Sequence, residues 1–204
     1  MWTPTLVLIA VTTLTACATL GGGLYEYLVV DPYWPKRPGI IQPRNGGVWR
    51  ARFWVPAHIA FEVLLIVTLM MAWGNTDVRI ALLIALASHA LMRVWSLVDL
   101  VPKAVAFEKA DPATVDEAAA VRWTRRSLLR LPLDVITCAA MLSALAVLAD
   151  SRPSRAGRRC IRDAPATTSP VRQASIWPAI LRSILARVAA GSAMSPSSSF
   201  CARA

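Results

Sequence analysis

The chain has two histidines, and each stands one helical turn from a charged residue. His58 precedes Glu62 and His89 precedes Arg93, both at the i,i+4 spacing that puts side chains on one face of a helix. Arg130 and Asp134 repeat the spacing, and Glu26 and Asp99 complete a set of eight ionisable residues set in apolar sequence. Charges in such surroundings are expensive to desolvate, so each is a candidate functional residue. Several chemistries fit these types. His58, Glu62, His89 and Glu26 make a two-histidine, two-carboxylate donor set suited to a transition metal. Arg93 and Arg130, with helix N-termini beside them, suit an anionic or quinone-like ligand. A histidine next to carboxylates suits proton transfer, and with a metal or quinone-like ligand the site would suit an oxidoreductase. Strings of Glu, His and Asp also serve as proton relays, so a proton-coupled carrier acting as a homo-oligomer is a further reading. In the plainest reading Glu26, Glu62 and Asp134 neutralise Arg93 and Arg130 and fix helix register in a non-enzymatic membrane subunit or scaffold. No tight motif such as H-E-x-x-H separates these alternatives.

The elements that must position these residues are legible in the composition. Of 204 residues, 56% are hydrophobic and only 17% charged, which points to a membrane protein. A helix needs about 20 mainly apolar residues to cross a bilayer, and four stretches qualify, at about 3–30, 53–73, 79–101 and 128–149. The expected fold is therefore all-α, an integral membrane four-helix up-and-down bundle with the lipid bilayer as its surroundings. In that topology the eight residues gather in one half of the bundle. Thr12, Thr15, Thr19, Gly22 and Glu26 form a small and polar stripe on the first helix, and the Gly21–Gly23 run predicts close approach of a neighbour near Glu26. Pro4, Pro56 and Pro132 are expected within the first residues of helices one, two and four, and Pro102 is expected to end helix three. Asp111 and Pro112 predict the start of a surface helix leading into the last span.

Charge is unevenly distributed. Residues 1–150 carry 13 Lys and Arg against 11 Asp and Glu, whereas 151–204 carry nine Arg and a single Asp. The basic character thus belongs to a tail without interleaved aromatics, and nucleic acid is not expected as a partner. That Arg/Ser/Ala-rich tail reads as largely disordered or as an out-of-frame extension, with a short amphipathic segment at 176–190 suited to a membrane surface. Four scattered cysteines contain no C-x-x-C pair, so they imply neither a zinc knuckle nor a disulfide framework. Leu14–Cys17 fits a lipoprotein cleavage pattern, but the preceding residues lack Lys and Arg and the apolar run continues past Cys17, so a retained helix is expected. The two loops after the first and third spans hold ten Lys and Arg, against six on the opposite side. This asymmetry predicts both loops in the cytoplasm and both termini outside.

The exit "GGGLYEYLVVDPYWPKRP", the "RFWVPAHIAFE" of helix two and the "ASHALMRVWSLVDLVPKA" of helix three resemble a group of uncharacterised bacterial four-helix integral membrane proteins. That group is distantly similar to the anthrone-oxygenase-like family. The resemblance spans roughly residues 5–148 and implies a multi-pass protein of the bacterial inner membrane. It adds weight to a ligand or redox site. An asparagine common near the end of the family's third helix is replaced by the Asp99 to Pro102 stretch, and no catalytic role carries over.

Overall fold

The computed structural model describes residues 3–150. Thr3 opens the first helix, its hydroxyl accepting from Leu6 N at 3.3 Å, and Pro4 takes the first helical position, where a missing N–H costs nothing. Helix α1 (Pro4–Tyr25) runs on through a π-helical turn at Glu26–Val30. A loop of short 3₁₀ turns leads to α2 (Ala51–Met71). Asn75 caps α3 (Thr76–Trp95) by accepting from Val78 N at 3.2 Å. A second π-helical turn, Ser96–Leu100, joins α3 to α4 (Val101–Lys109), and α5 (Glu117–Leu128) and α6 (Leu131–Asp150) follow. Among the described residues there is no strand.

Four stretches are long and apolar enough to cross a membrane: Pro4–Val30, Ala51–Met71, Thr76–Lys109 and Glu117–Asp150. Three expectations about their ends need correction. Pro102 does not end the third stretch. The π-turn passes Val101 N to Ser96 O, and Pro102 then sits in the first turn of α4, where no N–H is required. Pro56 is the sixth residue of α2 rather than one of its first few, because the helix already starts at Ala51. Asp111 caps only the 3₁₀ turn Pro112–Thr114, while Asp116 caps α5 by accepting from Ala118 N at 2.9 Å. The basic segment 151–204, with the expected amphipathic stretch at 176–190, lies outside the described residues.

Helix α1 packs against α2 and α6, and α6 packs against α3, whereas α2 and α3 meet over a smaller area. Hydroxyls tie these contacts: Thr12 Oγ1 to Thr68 Oγ1 at 2.9 Å, Thr13 Oγ1 to the Met141 carbonyl at 3.5 Å, and Ser88 Oγ to the Leu133 carbonyl at 2.8 Å. The inward faces bury Ile9, Phe61, Leu65, Leu82 and Met141, yet Leu14, Val63, Met70, Leu91 and Val94 point outward on the same helices. Helices apolar on every side are what a bilayer span requires.

A second, smaller core sits at one end. Trp34 and Ile41 from the first loop pack with Leu100, Ala120 and Trp123. The loop is fastened to α4 by Gln42, whose Nε2 donates to the Phe107 and Ala110 carbonyls at 2.8 and 3.0 Å. Trp123 Nε1 donates to the Leu100 carbonyl at 3.0 Å, and so satisfies a carbonyl at the end of the π-turn. This cap covers the helix ends where the ionisable residues cluster.

Candidate functional site

Glu26 opens the π-turn at the end of α1 and accepts from Trp54 Nε1 at 2.8 Å. The indole reaches it because Gly22 and Gly23 leave room. A Cβ on Gly22 would stand 2.5 Å from Phe53 Cε1, and one on Gly23 would stand 3.2 Å from Leu131 Cδ2. The glycine run thus permits the close approach that its sequence implied. Trp54 is one turn before His58 and stacks on it, ring centroids 5.3 Å apart. His58 is buried and tilts toward His89 at 5.7 Å, and His89 packs edge-on against Phe61 at 4.7 Å. Among the described residues His58 Nδ1 has no hydrogen-bond partner.

Across the α2–α3 gap, Glu62 Oε1 accepts from Arg93 Nε at 2.7 Å and lies 3.4 Å from His89 Nε2. Arg130, at the turn before α6, donates to the Ser127 carbonyl at 3.2 Å and to Ser127 Oγ at 2.6 Å, and reaches Ser96 Oγ at 3.5 Å. It makes no ion pair within 4.0 Å among the described residues, but it sits in the field of Glu26, Asp31 and Asp134. Seven of the eight sequence candidates are therefore neighbours in one polar region. Asp99 is not. It pairs with Lys103 and, at 2.8 Å, with Arg126, tying the second π-turn to α5. The four-residue metal set is not assembled either: among the described residues no three His, Cys, Asp or Glu side chains converge. Glu26 is turned toward Trp54 and Glu62 toward Arg93, which separates the carboxylates.

Two cavities meet here, sharing Glu26, Trp54, His58 and Arg130. The smaller, about 20 Å³, adds Asp31 and Asp134 to its lining and is roughly the size of one water. The larger is a cleft of about 260 Å³ between α2 and the α3–α4 run. Its inner end carries His58, Arg93 and Arg130, and its outer walls are Val55, Ile59, Leu97 and Val101. Those four walls are themselves 40–54% exposed, so the cleft opens sideways between the helices. Above it the buried Arg50 pairs with Glu108 at 3.1 Å and lies 5.4 Å over the Trp123 ring.

Sequence reasoning missed Trp54 as a site residue, although its i,i+4 relation to His58 was a visible signal. It also missed Asp31, Arg50 and Glu108, which sit in or next to the first loop and in α4 and carry no pattern. Asp31 accepts from Trp34 Nε1 at 3.0 Å. Burial pushes its carboxyl up to about 6, the Glu26 charge pushes the same way, and the Trp34 hydrogen bond, Arg50 and Arg130 oppose both.

No protein-family model, curated protein or solved structure matches the chain.

Proposed function

We propose that this chain is a multi-pass membrane protein, a four-helix up-and-down bundle, that binds a lipid-soluble ligand with a quinone-like or anionic head in the cleft between α2 and α3. The observation that carries this reading is the cleft's polarity gradient. Its outer walls are aliphatic and its inner end holds two arginines, the Glu26 carboxylate and a buried imidazole whose Nδ1 has no partner among the described residues. Arg93 and Arg130 supply positive potential for a carbonyl, phenolate or carboxylate head. His58 Nδ1 supplies a hydrogen bond, and in a redox ligand it is the group placed to exchange a proton. At about 260 Å³ the cleft lies just under the ~300 Å³ lower bound usual for small-molecule sites, so it suits a head group with its tail left in lipid. By the positive-inside rule, the ten basic residues of the first and third loops favour the cytoplasmic side for that end. On the resemblance drawn from its sequence, the membrane is the bacterial inner membrane.

The test is quenching of Trp54 fluorescence in nanodiscs titrated with a short-chain ubiquinone analogue. Saturable quenching that is lost in Trp54→Phe and weakened at least tenfold in His58→Ala supports the reading. Quenching that rises linearly and equally in all three proteins is simple partitioning into lipid and sinks it.

A second reading keeps the same fold without a ligand. The Glu62–Arg93 ion pair at 2.7 Å bridges α2 and α3, which otherwise meet over less area than α1 with α2, α1 with α6 or α3 with α6, and this favours a scaffold whose charges fix packing.

A further inference from the structure

The smaller cavity sits beside the cleft and shares His58 with it. His58 is only 7% exposed, and its Nδ1 has no hydrogen-bond partner among the described residues. Buried polar atoms almost always bond to something, because leaving one unpaired is costly. The cavity next to the ring has about 20 Å³, more than the roughly 10–15 Å³ that a single water needs. Its lining supplies the polar partners that a water requires: Glu26 and Asp31 from the first π-turn and its end, Arg130 and Asp134 from around the start of α6.

The π-turn brings the first two carboxylates to one place. Asp31 N donates to the Glu26 carbonyl at 2.8 Å and closes the wider turn, so both residues line the cavity. Trp54 Nε1 engages Glu26 Oε1 and Trp34 Nε1 engages Asp31 Oδ1, and the second oxygen of each carboxylate can still accept from a water. Of the described residues lining the cavity, Asp31 alone lies outside the four apolar stretches. It is half-buried, two residues before the exposed Tyr33. One side of it therefore faces the cavity and the other the loop. Burial and the Glu26 charge raise its carboxyl to about 6 against the Trp34 hydrogen bond, Arg50 and Arg130, so it holds a proton closer to neutral pH than an ordinary aspartate does.

We propose that the smaller cavity holds one water linking Asp31 to His58 Nδ1, and that Asp31 is the proton entry to the cleft. The Asp31 carboxyl gives its proton to the water, which passes one of its own to Nδ1 and leaves an imidazolium with Nε2 protonated throughout. A ligand head in the cleft then takes the Nδ1 proton, and the Asp31 carboxylate recovers one from the loop side. Only protons move in this step. The charged groups around the ring are Glu26 and Arg130 in the shared lining, Arg93 in the cleft and Glu62 one turn along α2, with His89 at 5.7 Å. The last transfer, onto a ligand, rests on the cleft reading, whereas the Asp31–water–His58 link does not.

The experiment is ring-nitrogen NMR on the full chain with isotope-labelled histidine, in nanodiscs and without ligand. The chain has two histidines, so two imidazoles are seen, and His58→Ala identifies one by its loss. The proposal expects a magnetisation-transfer contact between a bound water and His58 Hε1, which neighbours Nδ1. It also expects a step in the Nδ1 shift at about pH 6, following Asp31. Asp31→Asn keeps the shape and an oxygen for Trp34, and an unchanged His89 signal reports an intact fold. In that variant the step should vanish, and exchange of the Nδ1 proton with bulk water on the acid side should slow roughly tenfold or more. A His58 ring without water contact, or an Asp31→Asn protein whose Nδ1 titration and exchange match the native chain's, would overturn the proposal. Because no ligand is present, these results stand or fall separately from the Trp54 quenching that tests the cleft.

Discussion

The Glu62–Arg93 pair offers a direct measure of what the polar region does for the fold. At the observed 2.7 Å, the Coulomb attraction at an effective dielectric constant of 20 is about 6 kcal/mol before desolvation. Desolvation offsets much of it, and because the two side chains stay 23% and 39% exposed, truncating one partner costs toward the low end of the roughly 2–5 kcal/mol found for buried close pairs. Glu62 also faces His89 at 3.4 Å, so Glu62→Gln disturbs two neighbours while Arg93→Gln disturbs one. We expect Glu62→Gln to cost about 3 kcal/mol and Arg93→Gln about 2 kcal/mol. The double variant should cost less than their sum by about 2 kcal/mol, because each single variant strands the other's charge. The assay is reversible unfolding in mixed micelles against added dodecyl sulfate, followed by circular dichroism for all four members of the cycle. Additivity within about 0.5 kcal/mol would refute the reasoning, since it would mean the two side chains are solvated independently rather than paired.

Two further outcomes follow from local geometry. A Cβ at Gly21 meets nothing within 4 Å, whereas one at Gly22 meets the Phe53 ring at 2.5 Å. Gly21→Ala should therefore stabilise by about 0.5–1 kcal/mol through helix propensity, and Gly22→Ala should destabilise by about 1–2 kcal/mol as the ring is displaced. Equal shifts of the same sign in the micelle titration would contradict this contrast. The Asp31 carboxyl is raised from 3.8 to about 6 by burial and by the Glu26 charge. The folded state thus holds this proton to a higher pH than the unfolded chain does. Its contribution is most favourable below 3.8 and is lost as pH rises through about 6. Asp31→Asn should leave stability at low pH nearly unchanged and raise it by about 1–3 kcal/mol at pH 8. Parallel stability curves for the two proteins between pH 4 and 8 would show that Asp31 titrates normally.

The sequence was most informative where a residue's type and its helical period pointed the same way. The buried residues His58, Phe61, Leu65 and Thr68 recur at three and four positions along α2, so the helix and its inward face could be read together. The same holds for Ala81, Leu82, Ala85, Ser88, His89 and Met92 on α3. Boundaries were less legible, because Pro102 breaks a helix only if the backbone cannot change its hydrogen-bond register. The π-turn at Ser96–Leu100 does change it. The cap was not legible at all. Trp34 and Trp123 are 89 positions apart and meet at 5.8 Å only because the loop and α5 fold onto the same end, and no local period encodes a contact of that kind. Asp99 lies apart from the other seven because the second π-turn brings it to Lys103 and Arg126, a placement its apolar flanks do not encode.

The cap also bears on how a ligand would reach the site. The polar end of the cleft lies directly under Arg50, Glu108 and Trp123, and the Arg50–Glu108 pair with the Trp34–Trp123 contact closes the side nearest the loops. An ion arriving from water would have to open that core and break the pair. The lateral opening presents no such barrier, because the side chains of Val55, Ile59, Leu97 and Val101 carry no polar atom and are 40–54% exposed. In the proposed bilayer setting those walls face acyl chains. A molecule soluble in lipid could slide its head inward to Arg130 and His58 without leaving the hydrocarbon phase, whereas a hydrated anion would pay its full desolvation cost on the same path. The cleft should therefore discriminate by solubility before it discriminates by shape, favouring a lipid-soluble head such as a quinone over an inorganic anion of equal charge complementarity.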